Sequence, residues 1–363
     1  MPPVEPMLGR AVAEFPAGWW YEPKWDGFRA IVFRDGDRVQ ISSRNGRPLA
    51  RYFPEVVEAA RESFPQRCVV DGEVIITDPE SGRLDFWALQ QRLHPAESRV
   101  RLLSETTPAG FVAFDLLALH DDDYMPRPFA ERRAALEMAF SSSSAPVHVT
   151  PSTRDAEVAH QWFTAFEGAG LDGIVAKEGQ GPYQPGKRVM RKIKHQRTAD
   201  CVVVGYRVHA TNPEAVGSLL LALHDDGAGP ELEWAGPFGG LLPVGVVGAF
   251  TAQRRRELMV ELEPLVIDIA DHPWHRAMSE FGTQPAGEMG SRWNPGKDLS
   301  FVPLRPELVV EVRYDYMEGP RFRHPAQFVR WRPDRTPASC GYAQLERPAP
   351  YDVSNILAVN TSL

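Results

Sequence analysis

The chain has 363 residues, 43% of them apolar and 24% charged, a makeup of soluble globular proteins that excludes disordered and collagen-like classes; its length exceeds that of a usual single core, so two domains are expected. A net charge of −8 argues against a protein that merely coats nucleic acid, because phosphate affinity comes from lysine and arginine. With scattered cysteines (Cys68, Cys201, Cys340), no basic-then-apolar leader and no apolar run beyond Gly239–Phe250, nothing points to disulfides, a structural zinc, a secretory signal or a membrane span, and a reduced cytoplasmic setting is expected.

In chain order, the first half reads as antiparallel β structure with inserted helices. Phe28–Gly46 contains an apolar stretch, an Asp35-Gly36 turn and a second strand, which is a hairpin signal. A helical pattern over Phe53–Phe64 precedes a strand in Cys68–Asp78; Asp85–Leu93 is again helical and Gly110–Leu119 is a strand. Helices are expected over Pro128–Phe140 and Arg154–Glu167, the second introduced by Ser152 with Asp155 three residues on as a capping box, and "SSSSAP" between them is a loop. Strands at Leu171–Gly179 and Val189–His195 complete this half. From Ala199 short strands alternate with glycine turns, through "DCVVVGYRV", "GSLLLALHDDGAG" and "ELEWAGPFGG", with a single helix from Val244 to Leu262 and further strands at Leu308–Met317 and Ala326–Arg335. That pattern predicts a small β-barrel of the OB type. The boundary falls at about residue 198, giving an α+β domain over 1–197 and a barrel domain with a C-terminal tail over 198–363.

The basic residues are strongly biased. Of 40, 34 are arginine, and lysine remains only at Lys24, Lys177, Lys187, Lys192, Lys194 and Lys297. Arginine never loses its proton in a protein, whereas a buried lysine can, and a neutral amine is a nucleophile. Lys24 stands in "EPKWDGFRA", a K-x-D-G pattern for which this composition gives roughly 0.03 chance matches. After it come Arg29, Arg44 in "SSRNGR", Glu73 in "VVDGEVIITD", Phe114 in "VAFDLL", Asp172 in "DGIVAK", and Lys192 with Lys194 in "RKIKH". Nearly all lie on or beside strands of core residues, as in a pocket lined by a rigid sheet. Singly, each has a structural explanation: Phe114 as strand core, Glu73 as a turn carboxylate, Arg44 and Lys297 as loop residues, and Arg254–Arg256 as the solvated face of the barrel helix. Order and spacing are what join the ordered set.

In these motifs the chain resembles the ATP-dependent DNA ligases of the covalent nucleotidyltransferase superfamily, in particular the small bacterial repair ligases, ligase C and the ligase domain of end-joining enzymes. The resemblance covers nearly the whole chain. It implies an antiparallel-sheet nucleotidyltransferase (adenylation) domain followed by a smaller OB-fold domain, with no additional DNA-binding domain ahead of Lys24. Lys24 would attack the α-phosphorus of ATP to form lysyl–AMP, AMP would pass to a DNA 5′-phosphate, and a 3′-hydroxyl would displace it, sealing a nick in duplex DNA. Glu22 would read the adenine amino group, Phe114 would stack on the base, and Arg44 and Glu73 would hold the ribose and one another. Asp172 and Glu73 would bind Mg²⁺, with Mn²⁺ as the alternative ion; Asp26 and Arg29 would serve the later steps. Lys192 and Lys194 would neutralise phosphoryl charge and, with burial and the metal, lower the pKa of Lys24 by the roughly 3 units that a neutral amine near pH 7 requires. Arg332 and Asp334 in "RWRPDR" would orient the pyrophosphate, with Arg335 where the family has lysine; Asp172 stands where many relatives have glutamate. The implied setting is DNA repair by a cytoplasmic monomer, with repair proteins as partners and no membrane. Two other functions share parts of the pattern: an RNA ligase or capping-type nucleotidyltransferase uses the same lysine, and a non-catalytic nick-binding clamp keeps the fold without the chemistry.

Overall fold

The computed structural model describes residues 3–229, 236–281 and 300–358; Lys297 and the first half of the strand segment expected at Glu231–Gly240 lie outside them. Two compact units result, Met1–Lys194 with Pro348–Leu363, and His195–Arg347.

In chain order the first unit contains β1 (Leu8–Ala11), β2 (Trp20–Pro23), β3 (Phe28–Asp35), β4 (Arg38–Ser43), α1 (Pro54–Ser63), β5 (Arg67–Ile75), α2 (Phe86–Gln91), α3 (Glu97–Thr106), β6 (Gly110–Leu119), β7 (Asp122–Asp123), α4 (Phe129–Ala139), β8 (Val147–Val149), α5 (Ala156–Ala165), β9 (Ile174–Lys177) and β10 (Arg188–Ile193). They form one sheet in the order β4-β3-β5-β6-β7, with β8 beside β6, and a second in the order β1-β10-β9-β2. Pairing is antiparallel throughout except for β1 with β10 and β6 with β8. The run "AIVF" in β3 shows why both faces of this sheet are covered. Ala30 and Val32 join a core with Val56 of α1 and Leu136 of α4, while Ile31 and Phe33 meet Met7 and Met190 of the other sheet's side. Side chains two apart share a face. The face holding Ile31, Phe33 and Val69 therefore continues, toward the other end of the strands, into Arg29, Asp71 and Glu73.

The expected helix at Arg154–Glu167 forms, but its cap differs: Asp155 accepts from the Glu157 N–H, while the Ser152 hydroxyl is buried without a hydrogen-bond partner. Also present are β1, β2 and α3, which had no strong pattern; α3 is polar, with only Val100 and Leu103 buried.

The second unit comprises β11 (Arg197–His209), β12 (Asn212–His224), β13 (Leu241–Val247), α6 (Ala252–Leu262), α7 (His275–Phe281), β14 (Val302–Pro303), β15 (Val309–Tyr314), β16 (Met317–Glu318), β17 (Arg321–Phe322) and β18 (Gln327–Trp331). Its main sheet runs β13-β12-β11-β15-β18. A hydrogen bond from the Ala326 N–H to the Val246 carbonyl, 2.8 Å, joins the approach to β18 back to β13 and closes the ring. Register shifts near Gly205 bend β11, as closure requires. The helix expected from Val244 starts only at Ala252, behind a Thr251 cap, because "PVGVVG" combines β-branched residues with two glycines and continues β13. A second helix, α7, accompanies it. The Arg254–Arg256 triplet is not simply a solvated face: Arg255 donates to the carbonyls of Val216, Gly217 and Gly248, tying α6 to the barrel.

Beyond Arg347 the chain rejoins the first unit. In α8 (Val353–Ala358), Val353 and Ile356 are buried with Trp25, Ile75 and Phe166. Gly168 makes room for this segment, since a Cβ there would lie 1.8 Å from the Ala349 carbonyl oxygen. The three cysteines are free and buried, and no described helix is long and apolar enough to cross a membrane.

Candidate active site

The geometry of "KWDG" is set by its tryptophan. Trp25 is buried beside Ile75 and Phe166 and donates its Nε1–H to Thr150 Oγ1 at 2.8 Å, leaving its neighbours Lys24 and Asp26 to face the charged cluster. Gly27 is required for close approach, because a Cβ would lie 2.2 Å from the Val74 carbonyl oxygen. The backbone of Lys24 is clamped to the "DG" of "DGIVAK": Lys24 N–H donates to the Gly173 carbonyl at 2.8 Å, and Asp172 N–H to the Lys24 carbonyl at 3.0 Å. Gly173 has φ 125°, a conformation open to glycine and costly for side chains.

Two ammonium groups converge on one carboxylate oxygen. Lys24 Nζ lies 2.5 Å and Lys194 Nζ 2.8 Å from Asp172 Oδ2. Burial alone would raise the Asp172 pKa, but the two lysines outweigh it and hold the carboxyl well below the usual range. Asp26 goes the other way: burial, then the nearby Asp172 and Glu73 charges, push it well up. Burial also lifts Glu73 to about 7, against the pull of Arg29 and Lys24. For Lys24 itself burial pulls downward, yet Asp172, Asp26 and Glu73 together overcome it, so its pKa stands above the ordinary value. This corrects the expectation that burial and neighbouring lysines depress Lys24. The depressed lysine is Lys192, lowered by burial and then by Lys24, Lys194 and Arg44. Its stem runs alongside Gly9 of β1, where a Cβ would meet Lys192 Cγ at 2.7 Å.

Arg29 sits opposite Glu73 in the β3–β5 ladder and is gripped by Asp71, Nε to Oδ1 at 2.7 Å and Nη2 to Oδ2 at 2.6 Å. Tyr183 Oη donates to the same Asp71 Oδ2 at 2.6 Å. The Arg29 guanidinium stands 4.8 Å from the centroid of Phe114. Buried Lys177, its Nζ 5.0 Å from the centroid of the same ring, bonds the Phe114 carbonyl at 2.8 Å and Glu22 Oε2 at 2.8 Å. Glu22 is itself buried, and its Oε1 has no hydrogen-bond partner.

Lys24, Asp26, Arg29, Glu73, Asp172 and Lys194 are thus linked by contacts or charge, Lys192 joins them through its charge, and Phe114 and Glu22 follow through Arg29 and Lys177. Arg44 is not brought to Glu73: it occupies an exposed turn after β4, and no ion pair joins the two. Arg332 and Asp334 belong to the second unit, where Arg332 Nη1 lies 3.0 and 3.1 Å from the Asp200 carboxylate oxygens and Nη2 lies 2.7 Å from Asp334 Oδ2. Arg332 draws the Asp334 pKa down to about 2. Arg335 Nε is 3.4 Å from Asp200 Oδ2. Sequence reasoning missed Lys177, Asp71, Tyr183 and Arg133. For Lys177 the scarcity of lysine was a usable signal; the others looked like ordinary strand, loop and helix residues.

A lysine set among carboxylates and further lysines on paired antiparallel sheets, in a chain that continues into a closed barrel, has the architecture of a nucleotidyltransferase. More particularly, the chain belongs to the ATP-dependent DNA ligase family: residues 6–194 match the ATP dependent DNA ligase domain and residues 212–335 the ATP dependent DNA ligase C terminal region. It is 59% identical over 362 residues to DNA ligase C of Mycobacterium tuberculosis, with 98% of each chain covered. With DNA ligase C1 of Mycolicibacterium smegmatis it shares 47% identity over 366 residues, 98% of this chain and 97% of that one. A solved Lig E DNA ligase has the same fold, with a TM-score of 0.54 at 15% identity over 90% of this chain and 99% of that one. ATP use and DNA ligation follow from the family.

Proposed function

We propose that the protein seals 3′-hydroxyl/5′-phosphate nicks in duplex DNA, with Lys24 as the nucleophile that carries AMP. The carrying observation is the pair of lysines on one Asp172 oxygen, which positions Lys24 Nζ rigidly and sets a second cation beside it. In the first step the Lys24 nitrogen bonds the α-phosphorus of ATP and the bond to pyrophosphate breaks. The amine must first lose a proton, to solvent water, and the surrounding carboxylates oppose this by holding Lys24 charged. Asp172 and Glu73 would hold Mg²⁺ or Mn²⁺; among the described residues no group of three or more His, Cys, Asp or Glu is assembled for a metal, so the donor set suits an ion that arrives with nucleotide phosphates and keeps much of its water. When bound, such an ion offsets the carboxylate charge that keeps Lys24 protonated and stabilises charge on the phosphates.

Lys192 and Lys194 neutralise the phosphoryl oxygens, Lys192 with the lowered pKa of a crowded cation. Phe114 stacks on adenine, and the unbonded Glu22 Oε1 accepts from its amino group. Arg44 and Glu73 hold the ribose, Arg332 and Asp334 orient the pyrophosphate, and Asp26 and Arg29 serve transfer of AMP to the DNA 5′-phosphate and its displacement. The free, buried cysteines support a cytoplasmic setting, and the reading is of a monomer acting in repair with partner proteins.

The test is a nicked duplex labelled at its 5′-phosphate, incubated with full-length protein, a divalent metal and ATP or GTP. Sealing with ATP, none with GTP, and none by Lys24→Ala is the expected result. Sealing by Lys24→Ala, or joining confined to RNA, would contradict the proposal.

A further inference from the structure

The carboxylate assigned to the base is held by more than its lysine. Glu22 lies on β2, its residue paired with Val175 of β9, and is 2% exposed. Lys177, also on β9, bonds Oε2 at 2.8 Å. On the other side stands Arg133 of α4, 1% exposed, with Nη1 3.5 Å from Glu22 Oε1. Neither of these two atoms has a hydrogen-bond partner, although both are buried. The guanidinium is fixed from behind by its Nε, which donates to Glu137 Oε1, four residues on, at 2.6 Å. The remaining charges of the cluster are accounted for on β6: Asp115 lies 3.8 Å from Lys177 and is gripped by Arg132 at 2.7 and 3.0 Å.

A carboxylate is acceptor-only, whereas a protonated carboxyl also donates. The 6-position of adenine carries an amino donor and that of guanine an oxo acceptor. An ionised Glu22 therefore can face only the amino edge, whereas a protonated one can face either. We propose that Arg133 is a specificity-determining positioning residue, which holds Glu22 as an acceptor-only carboxylate with Oε1 free, so that the site takes 6-amino purine nucleotides and rejects 6-oxo ones. The inference rests on the reading that Glu22 faces the base. Arg133 sits at charge-contact distance without forming a hydrogen bond, so it stabilises the anion and leaves Oε1 available. Burial leaves the Glu22 pKa raised on balance; Lys177 and Arg133 oppose the rise and Asp115 adds to it. Without Arg133 the balance moves toward the protonated form, and it does so first at low pH.

The test measures equilibrium binding of ATP, GTP and purine riboside 5′-triphosphate, which lacks a 6-substituent, to the full-length protein in metal-free buffer from about pH 6 to 9. Wild type should prefer ATP over both others by roughly 10- to 100-fold, the range of a hydrogen bond to a charged group. In Arg133→Met the ATP-to-GTP preference should shrink to within about threefold and shrink further as pH falls, while purine riboside triphosphate binds as in wild type. That unchanged third ligand reports an intact pocket. Equal weakening of all three ligands, or an unchanged ATP-to-GTP ratio at every pH, overturns the proposal in favour of a purely structural arginine. Should Arg133→Met not fold, Arg133→Gln, which keeps a polar head without the charge, must move the ratio in the same direction, and an unmoved ratio overturns the proposal equally. Glu22→Gln separates the two layers of the argument. If it abolishes the preference while Arg133→Met retains it, only the role of Arg133 fails; if wild type shows no preference, the reading of Glu22 fails and takes this inference with it.

Discussion

Replacing Glu73 by glutamine tests whether the site is built at the expense of stability. Burial holds the Glu73 carboxyl at about 7, against an ordinary value of 4.5. Between those values the unfolded chain has released this proton and the folded protein retains it, so stability falls as pH rises through the window and the full loss is present above 7. A displacement of that size corresponds to roughly 3 kcal/mol. Glutamine has the shape of the protonated carboxyl and does not titrate. Near pH 5 the variant and wild type should therefore unfold at similar urea concentrations, and near pH 8 the variant should be the more stable by up to about 3 kcal/mol. The same variant should lose most ligase activity, an exchange of stability for function of a familiar kind. Urea titrations of nucleotide-free and metal-free protein, followed by tryptophan fluorescence in steps of pH, give the difference directly. If the two proteins show the same dependence of stability on pH, Glu73 is an ordinary carboxylate and the reasoning about its burial is wrong.

Gly27→Ala should abolish adenylylation or cost about 1–3 kcal/mol in thermal unfolding, because its Cβ would press on the Val74 carbonyl at 2.2 Å; a fully active, fully stable variant would contradict the close approach. Ile356→Ala, in the tail segment packed beside Trp25, should destabilise the protein by about 2–5 kcal/mol and shows a null result if the tail is dispensable. Arg332→Ala should slow formation of lysyl–AMP while leaving the sealing of pre-adenylylated DNA near the wild-type rate; a selective loss of the later steps would instead reassign Arg332.

Much of this architecture was legible because it follows from local chemistry. The bias toward arginine singled out Lys24, Lys192 and Lys194, and continuous apolar runs located β3, β5 and β6 to within a few residues. What escaped depends on chain segments that sequence proximity does not connect. Lys24 and Asp172 are 148 positions apart, and so the carboxylates that raise the Lys24 pKa, reversing the expected direction, become apparent only once the sheets are assembled. Tyr183 reaches Asp71 across 112 positions and carries no motif of its own. The start of α6 was misplaced for a different reason: "PVGVVGAF" is apolar without a clear period, and its glycines and β-branched residues favour the strand it forms. The tail's destination was hidden because two buried side chains, Val353 and Ile356, make too short a pattern to name a partner.

The central claim is that Lys24 forms a covalent bond to AMP. Full-length protein incubated with α-³²P-ATP and a divalent metal, then denatured, should retain an acid-labile label, and Lys24→Ala should retain none. Pyrophosphate added to wild type isolated in the adenylylated form should release ATP. Label retained by Lys24→Ala, or wild type that neither takes up label nor yields ATP to pyrophosphate, would contradict the account.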